Sequence, residues 1–379
     1  MDRTEDAQHS ADVHALVLSG SGSSSTDAYG VGAMKALMET GCAHLGGLRL
    51  DPEIYSGSAF GAFNAAVMAS QIGGDTVSTL HYLERVWLED ISSGSTTCGN
   101  GVYRLRGNPF PYLNPRCYMP NPAKPFIESL NDSFFLATNL LARLWTFLGP
   151  EGQGSLVQRL LEIPSMTPLF DVEPLKKQLR KHVDLERIRR STKELIVMAS
   201  DWHKGMPRAF TKPDLTDQNG HAILQASATF LLAFPFVLVD GELFGGAPGT
   251  MATPLKPVIE TYATPARRLI VHVIFLTTPM DQVPTSKMDS ALGGLGRYFS
   301  INETVNIRSK VDYSPPQTDQ EEFVRKGSVT IHQYRPSKPI INWFEFANFD
   351  RKITERYIAQ GYNDTLQHDC KSAGCTEVV

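Results

Sequence analysis

The 379-residue sequence lacks any long apolar run, and none of its stretches approaches the roughly 20 apolar residues needed to span a bilayer. It also lacks an excess of basic residues: 36 Lys and Arg are set against 40 Asp and Glu, which gives a formal net charge of −4. Because no block of Lys and Arg is present either, nucleic acid is not expected as a partner. Any membrane contact is expected to be peripheral.

Cysteine is scarce, and its spacing fits neither a disulfide framework nor a zinc site. The five cysteines are Cys42, Cys98, Cys117, Cys370 and Cys375. Their odd number and the absence of CxxC or Cys/His spacing favour free thiols in a reducing compartment. The first dozen residues lack the basic start and apolar core of a secretory signal. We therefore expect a cytoplasmic protein that uses no metal and no cofactor.

Apolar runs alternate with helical patterns in the first part of the chain. Val13–Ser19 has the composition of a buried strand, and a Gly/Ser loop separates it from a helical stretch at Tyr29–Glu39. The same order recurs with a strand ending near Ser56, a tight turn, and a helix at Ala62–Gln71. Repeated strand–loop–helix units predict an α/β fold with a mainly parallel sheet and helices on both faces.

The predicted organisation is one domain at residues 13–367, with disordered tails at 1–12 and 368–379 and a cap inserted at 92–170. Within the cap, Phe134–Leu148 is strongly apolar yet too short to span a membrane. It is either a cap helix packed on the core or a lipid-facing, surface-seeking lid. In a later apolar strand, His272 is expected to be a hydrogen-bonded core histidine and not a catalyst.

The segment from residue 55 to 62 has the layout of a strand–turn–helix nucleophile elbow. Such an elbow needs a nucleophile at its apex, small residues two positions to either side, and backbone N–H groups facing the developing oxyanion. Gly57 and Gly61 supply the small residues, but the apex between them is Ala59. A methyl group cannot form an acyl-enzyme, and loss of a serine nucleophile costs on the order of 10⁶ in kcat.

This elbow resembles that of the patatin-like phospholipase family, which has Gly-x-Ser-x-Gly-Ala here and continues with Asn-Ala, as this chain does at Asn64-Ala65. The similarity extends over roughly residues 14 to 367. It implies a three-layer α/β fold of the patatin type, a metal-independent Ser–Asp dyad, and phospholipids or other acyl esters as substrates.

The resemblance also locates an oxyanion loop, Gly-Gly-Gly-x-Arg/Lys-Gly in the family. The corresponding positions here are Gly22, Ser23, Ser24, Ser25, Thr26 and Asp27. Glycine tolerates positive φ and lets backbone amides approach a ligand closely, whereas serine adds a Cβ. Asp27 brings negative charge to a place where an oxyanion develops, so its sign is unfavourable for hydrolysis.

The second half of the family's dyad is an aspartate in Asp-Gly-Gly or Asp-Gly-Ala. This chain has Gly245-Gly246-Ala247 there, so Gly245 occupies the position of the general base. The asparagine that follows in the family corresponds to Ala252. Nucleophile and base are therefore both missing from a scaffold that otherwise fits.

Three functions are compatible with this pattern. The first is a catalytically inactive protein that binds lipid or acts as a regulatory or scaffold module, with an unidentified protein partner. The second is an active acyl hydrolase with a relocated nucleophile, Ser58, and base, Asp240, although bulky Phe60 follows Ser58 where a small residue is needed. The third is a phosphate or nucleotide site in the Gly20–Thr26 loop, which lacks the lysine of a P-loop.

Overall fold

The computed structural model describes most of the α/β core and part of the cap. The described residues are 12–20, 24–42, 45–92, 99–107, 123–148, 170–229, 234–246, 253–264, 267–277, 329–338, 340, 348–368 and 376–378.

The secondary structure follows the predicted alternation of strands and helices. The strands are β1 Val13–Leu18, β2 Ile54–Ser58, β3 Arg104–Leu105, β4 Phe170–Asp171, β5 Glu194–Asp201, β6 Met206–Thr211, β7 Val237–Val239, β8 Glu242–Gly245, β9 Leu269–Ile274, β10 Val329–Tyr334 and β11 Thr376–Val378. The helices are α1 Ala28–Lys35, α2 Ala59–Ser70, α3 Thr76–Arg85, α4 Ala123–Leu148, α5 Glu173–His182, α6 Leu185–Arg190, α7 Gly220–Ser227, α8 Leu255–Tyr262 and α9 Arg351–Leu366.

The central sheet has the strand order β11-β10-β9-β1-β2-β5-β8-β7, and β6 also pairs with β5. Its centre, from β10 to β5, is parallel, while β11, β6, β8 and β7 pair antiparallel with their neighbours. The central strands are nearly continuous apolar runs because both faces of this sheet are covered. The predicted α/β fold with a mainly parallel sheet is confirmed.

Alternate residues of each strand enter two separate apolar cores. On β1, Leu16 and Leu18 belong to the larger core with α1 and α2, whereas Ala15 and Val17 belong to the smaller core with α8. Strand residues point alternately to opposite faces, so one short strand contributes to both layers. This arrangement gives the helix–sheet–helix layering that the sequence predicts.

Two features named in the sequence analysis are the core histidine and the C-terminal segment. His272 is fully buried, and its ring nitrogens lie 3.1 Å from His14 Nδ1 and 3.0 Å from the Tyr334 hydroxyl, which confirms a hydrogen-bonded core histidine. Within the segment 368–379, which the sequence predicts to be a tail, Thr376–Val378 forms β11 and pairs with Val329–Ile331 of β10.

The cap is described at its base and along one helix. Strands β3 and β4 pair antiparallel, and α4 begins at Ala123, well before the predicted start at Phe134. Residues 108–122 and 149–169 of the predicted cap lie outside the described residues. Among the helices described, α4 included, none is both long enough and apolar enough to cross a membrane.

Candidate functional site

The turn between β2 and α2 has the backbone of a nucleophile elbow. Ala59 is its apex, with a φ of +51°, a left-handed conformation that is rare for residues other than glycine. Such a conformation costs about 1–2 kcal/mol for an L-residue and is typical of functional turns. The elbow has therefore kept its strained geometry although its apex carries only a methyl group.

The two elbow glycines are required by close packing of the backbone. A Cβ at residue 57 would overlap the carbonyl oxygen of Gly61, and a Cβ at residue 61 would lie 2.6 Å from the carbonyl oxygen of Leu18. Gly20 is equally constrained, because a Cβ there would lie 2.6 Å from the Cβ of Ala59. The exit of β1 thus runs directly beside the apex, as an oxyanion loop must.

The described residues of that loop form hydrogen bonds with one another. The backbone N–H of Ser24 donates to the Asp27 carboxylate at 3.3 Å, and the N–H of Thr26 donates to Ser24 Oγ at 3.2 Å. Ser24 and Asp27 form a capping box at the start of the turn that leads into α1, and the Thr26 bond adds to it. Residues 24 to 27 are all buried. The Ser24 amide is thereby occupied by an internal carboxylate.

Sheet register brings the position of the general base next to the elbow. Ser58 pairs with Met198 of β5, and Gly245 pairs with Ser200, two residues further along the same strand. Strand β5 has two edges, and β2 pairs along one of them while β6 pairs along the other. Because β6 fills its edge as far as Asp201, β8 pairs with β5 on the same edge as β2. The end of β8 therefore meets the end of β2, at a spacing of roughly 7 Å along β5. The register thus places Gly245 near the β2 end of the elbow, two residues further along β5 than the partner of Ser58.

The space for a side chain at Gly245 is filled by two aromatic residues. A Cβ at this position would lie 2.7 Å from Trp202 Nε1 and 2.7 Å from Phe236 Cδ1. The two rings pack against each other with centroids 4.7 Å apart. Trp202 is 38% exposed and Phe236 41% exposed, so the pair forms an aromatic surface at the outer side of the site. An aspartate at residue 245 would have to displace this pair.

The two residues of the relocated dyad considered from the sequence, Ser58 and Asp240, lie in different elements. Ser58 lies in β2, on the same side of the strand as Ser56, and it precedes the apex instead of forming it. Asp240 lies with Gly241 in the β7–β8 turn, where both residues have positive φ as a two-residue hairpin turn requires. The Asp240 carboxylate is exposed and accepts a hydrogen bond from Asn219 at 2.7 Å.

Asp240 thus belongs to a hairpin turn. Asp-Gly is a preferred sequence for two-residue turns in which both residues have positive φ, so the turn itself accounts for this aspartate. The length of β8, roughly 10 Å, separates the turn from Gly245 and the elbow.

The phosphate-cradle hypothesis is also weakened by the loop geometry. An anion site needs free backbone N–H groups, but those of Ser24 and Thr26 are bonded within the loop. The Asp27 carboxylate further opposes a bound anion. Gly22 and Ser23 lie outside the described residues, as does Ala252 at the other end of the site. Within the described part of the chain, no three metal-ligating side chains converge as a metal site would require.

Sequence reasoning missed the residues that hold and fill this site. Ser227 accepts a hydrogen bond from the N–H of Ala59 at 3.0 Å, a contact between separate segments of the chain. Trp202 and Phe236 gave no signal, because their contact with Gly245 depends on the pairing of three strands.

Together, the doubly covered sheet and the elbow beside a loop at the end of β1 define the class of α/β proteins built around a nucleophile elbow. A family model described as patatin-like phospholipase matches residues 16–258. The chain belongs to the patatin-like phospholipase family.

Among solved structures, VipD from Legionella pneumophila is similar at 15% sequence identity and a TM-score of 0.39. The similarity covers 97% of this chain and 68% of that one. A comparison with curated proteins finds no match.

Proposed function

We propose that this protein is a catalytically inactive member of the patatin-like phospholipase family that binds lipid in a regulatory or scaffold role. The observation that carries the proposal is the identity of the residues at the two positions that the family resemblance assigns to the dyad, Ala59 directly after β2 and Gly245 at the end of β8, two strands paired with the same β5. Neither side chain can attack an ester or accept a proton. Removal of a serine nucleophile alone lowers kcat by on the order of 10⁶.

Two further features of the site would each lower hydrolytic activity, in addition to the residues at the dyad positions. Asp27 binds the Ser24 amide in the loop that the resemblance assigns to the oxyanion, and Trp202 with Phe236 fills the space of the base. Each change alone would lower activity. Their joint presence on an intact elbow favours retention of the fold for binding over a single chance substitution.

Lipid is the ligand class that the site suits best. Membership of the family points to acyl substrates, and an apolar groove depends on packing and not on the dyad. The half-exposed Trp202–Phe236 pair supplies an aromatic surface that an acyl chain can cover. A protein partner would bind at the Trp202–Phe236 surface or at the cap.

Hydrolysis of fluorogenic acyl esters and phospholipids by the purified protein tests the proposal. The wild-type protein, Ser58→Ala and Ala59→Ser are all expected to show no turnover above the rate without protein. The double variant Ala59→Ser/Gly245→Asp is also expected to stay inactive, because Asp27 still occupies the Ser24 amide. Wild-type turnover that disappears in Ser58→Ala would refute the inactive assignment.

Binding is measured in parallel with a fluorescent fatty acid. Trp202→Ala/Phe236→Ala is expected to weaken binding at least about tenfold, because two aromatic contacts of the ligand are lost. Leu48→Ala, which truncates another exposed apolar side chain, is the matched control and should bind as the wild type does. Absence of binding in the wild type would contradict the lipid-binding role.

A further inference from the structure

The long helix α4 presents its polar side to the protein and its apolar side to solvent. Phe134 is 74% exposed and Phe126 is 66% exposed, whereas Asp132 on the opposite side is 1% exposed. Surface helices of globular proteins normally have the reverse arrangement, because burial of their apolar stripe supplies most of their stability. The amphipathic character of α4 is therefore inverted with respect to the protein core.

Six exposed apolar residues of α4 form one continuous face, while Phe135 lies outside it beneath Arg106. At 3.6 residues per turn, the six fall within about 100° of the helix circumference. This α4 apolar face consists of Phe126, Ile127, Leu130, Phe134, Ala137 and Leu141, all of which are exposed. It extends for about 22 Å along the helix axis and contains no charged side chain. A contiguous exposed surface of this kind marks an interaction site.

Ion pairs fix the helix in this orientation. Arg104 donates to both carboxylate oxygens of Asp132, at 2.6 and 2.9 Å, and Arg106 forms a further pair at 3.4 Å. The N–H of Gly107 donates to the same carboxylate at 3.0 Å, and the Arg106 guanidinium lies over the Phe135 ring at 4.5 Å. Turning the apolar face inward would break the bonds of Asp132 and cover the two guanidinium groups with apolar side chains, which is costly.

We propose that the α4 apolar face docks on the surface of a phospholipid bilayer, with the helix axis parallel to the membrane plane. A helix that lies in the interface needs one apolar face and a polar opposite side, and this is how the described residues of α4 are arranged. The side chains bordering the face are uncharged hydrogen-bonding groups that suit the headgroup region: Ser129, Asn131, Ser133 and Thr138.

A bilayer fits this face better than a second protein surface. The five large side chains expose on the order of 500–600 Å², whereas a stable protein interface buries about 800 Å² per partner. The face also has no hydrogen-bonding group with which to set the register of a partner. A fluid bilayer requires no register, and apolar burial alone drives docking.

The docking surface lies outside the elbow, so the inference goes beyond the proposed function and can fail separately from it. Co-flotation of the full chain with phosphatidylcholine vesicles, with and without phosphatidylserine, tests it directly. The test variant is Leu130→Gln/Phe134→Gln/Leu141→Gln, in which glutamine keeps helix propensity. The control is Leu48→Gln/Met206→Gln/Leu366→Gln, which removes three exposed apolar side chains elsewhere.

The wild type and the control are expected to float with phosphatidylcholine vesicles, and added phosphatidylserine or salt should change the partition coefficient little. The test variant should show at least about a tenfold lower coefficient. Thermal midpoints within a few degrees of wild type ensure that folded proteins are compared. Equal flotation of test and control variants, or no flotation of the wild type, would overturn the proposal.

Light scattering coupled to gel filtration tests whether the α4 apolar face instead binds a second copy of this chain. A wild type that does not float but self-associates, and becomes monomeric in the test variant, would assign the α4 apolar face to a protein interface and overturn lipid docking.

Discussion

The backbone N–H of Ala59 donates a hydrogen bond to Ser227 Oγ at 3.0 Å, and Ser227 donates in turn to the carbonyl oxygen of Met198. One serine hydroxyl therefore ties the elbow apex to β5 and to the end of α7. The bond uses only the backbone of residue 59, so it does not depend on a serine side chain there. This explains how the elbow persists after loss of its nucleophile.

Relief of the strain at the apex should stabilise the protein. Ala59→Gly is expected to raise the free energy of unfolding by about 0.5–1 kcal/mol, because glycine adopts positive φ freely while its greater unfolded-state entropy offsets part of the gain. Urea denaturation measures the change. The control Ala62→Gly, within regular α2, should lower the free energy by about 1 kcal/mol. Equal destabilisation of both variants would contradict the left-handed backbone conformation of Ala59.

The elbow glycines should not tolerate even one methyl group. Gly57→Ala is expected to lower the free energy of unfolding by about 1–3 kcal/mol, since the new Cβ overlaps the carbonyl oxygen of Gly61. Gly30→Ala is the matched control, because its Cβ would lie 3.8 Å from Leu18 Cδ2, an ordinary contact distance. That variant should be unchanged or slightly stabilised. Comparable losses in both variants would argue against close packing at the elbow.

Much of this site could be predicted from the sequence. The glycine spacing at Gly57 and Gly61 predicts the turn and its apex, since only small residues fit there. The filling of Gly245 could not be predicted, because Trp202 and Phe236 reach it only through the pairing of β5, β7 and β8. Local patterns specify local turns, while contacts between strands depend on a register that one sequence does not reveal.

The same limit applies to the cap. The apolar stretch Phe134–Leu148 is sufficient to predict a helix, but amphipathicity alone does not say which side faces the core. The orientation of α4 follows from the pairing of Asp132 with Arg104 and Arg106, which come from β3 and the residue after it. Such ion pairs between separate segments leave no periodic signal in the sequence.

The anchor of α4 should depend on the charge of Asp132. Asp132→Asn is expected to cost about 1–3 kcal/mol locally, because an amide cannot neutralise two guanidinium groups. Hydrogen exchange of α4 should then be faster, while exchange in β1 and β2 is unchanged. Ser133→Ala, an exposed neighbour on the same helix, is the control. Unaltered exchange of α4 in Asp132→Asn would show that other contacts hold the helix.

The same anchor should weaken in acid. Burial acts to raise the pKa of Asp132, but hydrogen bonds from Arg104 and Gly107 outweigh it and hold the pKa below its ordinary value. A depressed carboxyl pKa contributes stability above the unfolded value of about 4, and this stability is lost as the pH falls through the folded pKa. Exchange of wild-type α4 should therefore accelerate below about pH 4, whereas Asp132→Asn should lack this step.

The pair of His14, which is partly buried, and His272, which is fully buried, gives the protein a second dependence on pH, near neutrality. His14 Nδ1 lies 3.1 Å from His272 Nε2, and the two rings are stacked. Burial lowers the pKa of His14, although Asp12 and Glu53 act in the opposite direction. The folded state therefore favours the neutral imidazole, whereas the unfolded chain takes up a proton below about pH 6.5.

A histidine whose folded pKa is lowered contributes stability above its unfolded pKa, and this stability decreases as the pH falls through the window below about 6.5. Urea denaturation of the wild type should accordingly give midpoints that fall between about pH 7.5 and pH 5.5. His14→Gln retains a polar side chain but cannot titrate, so its midpoint should fall less over the same range. An identical slope in both proteins would show that the proton is taken up elsewhere and that His14 does not couple folding to pH.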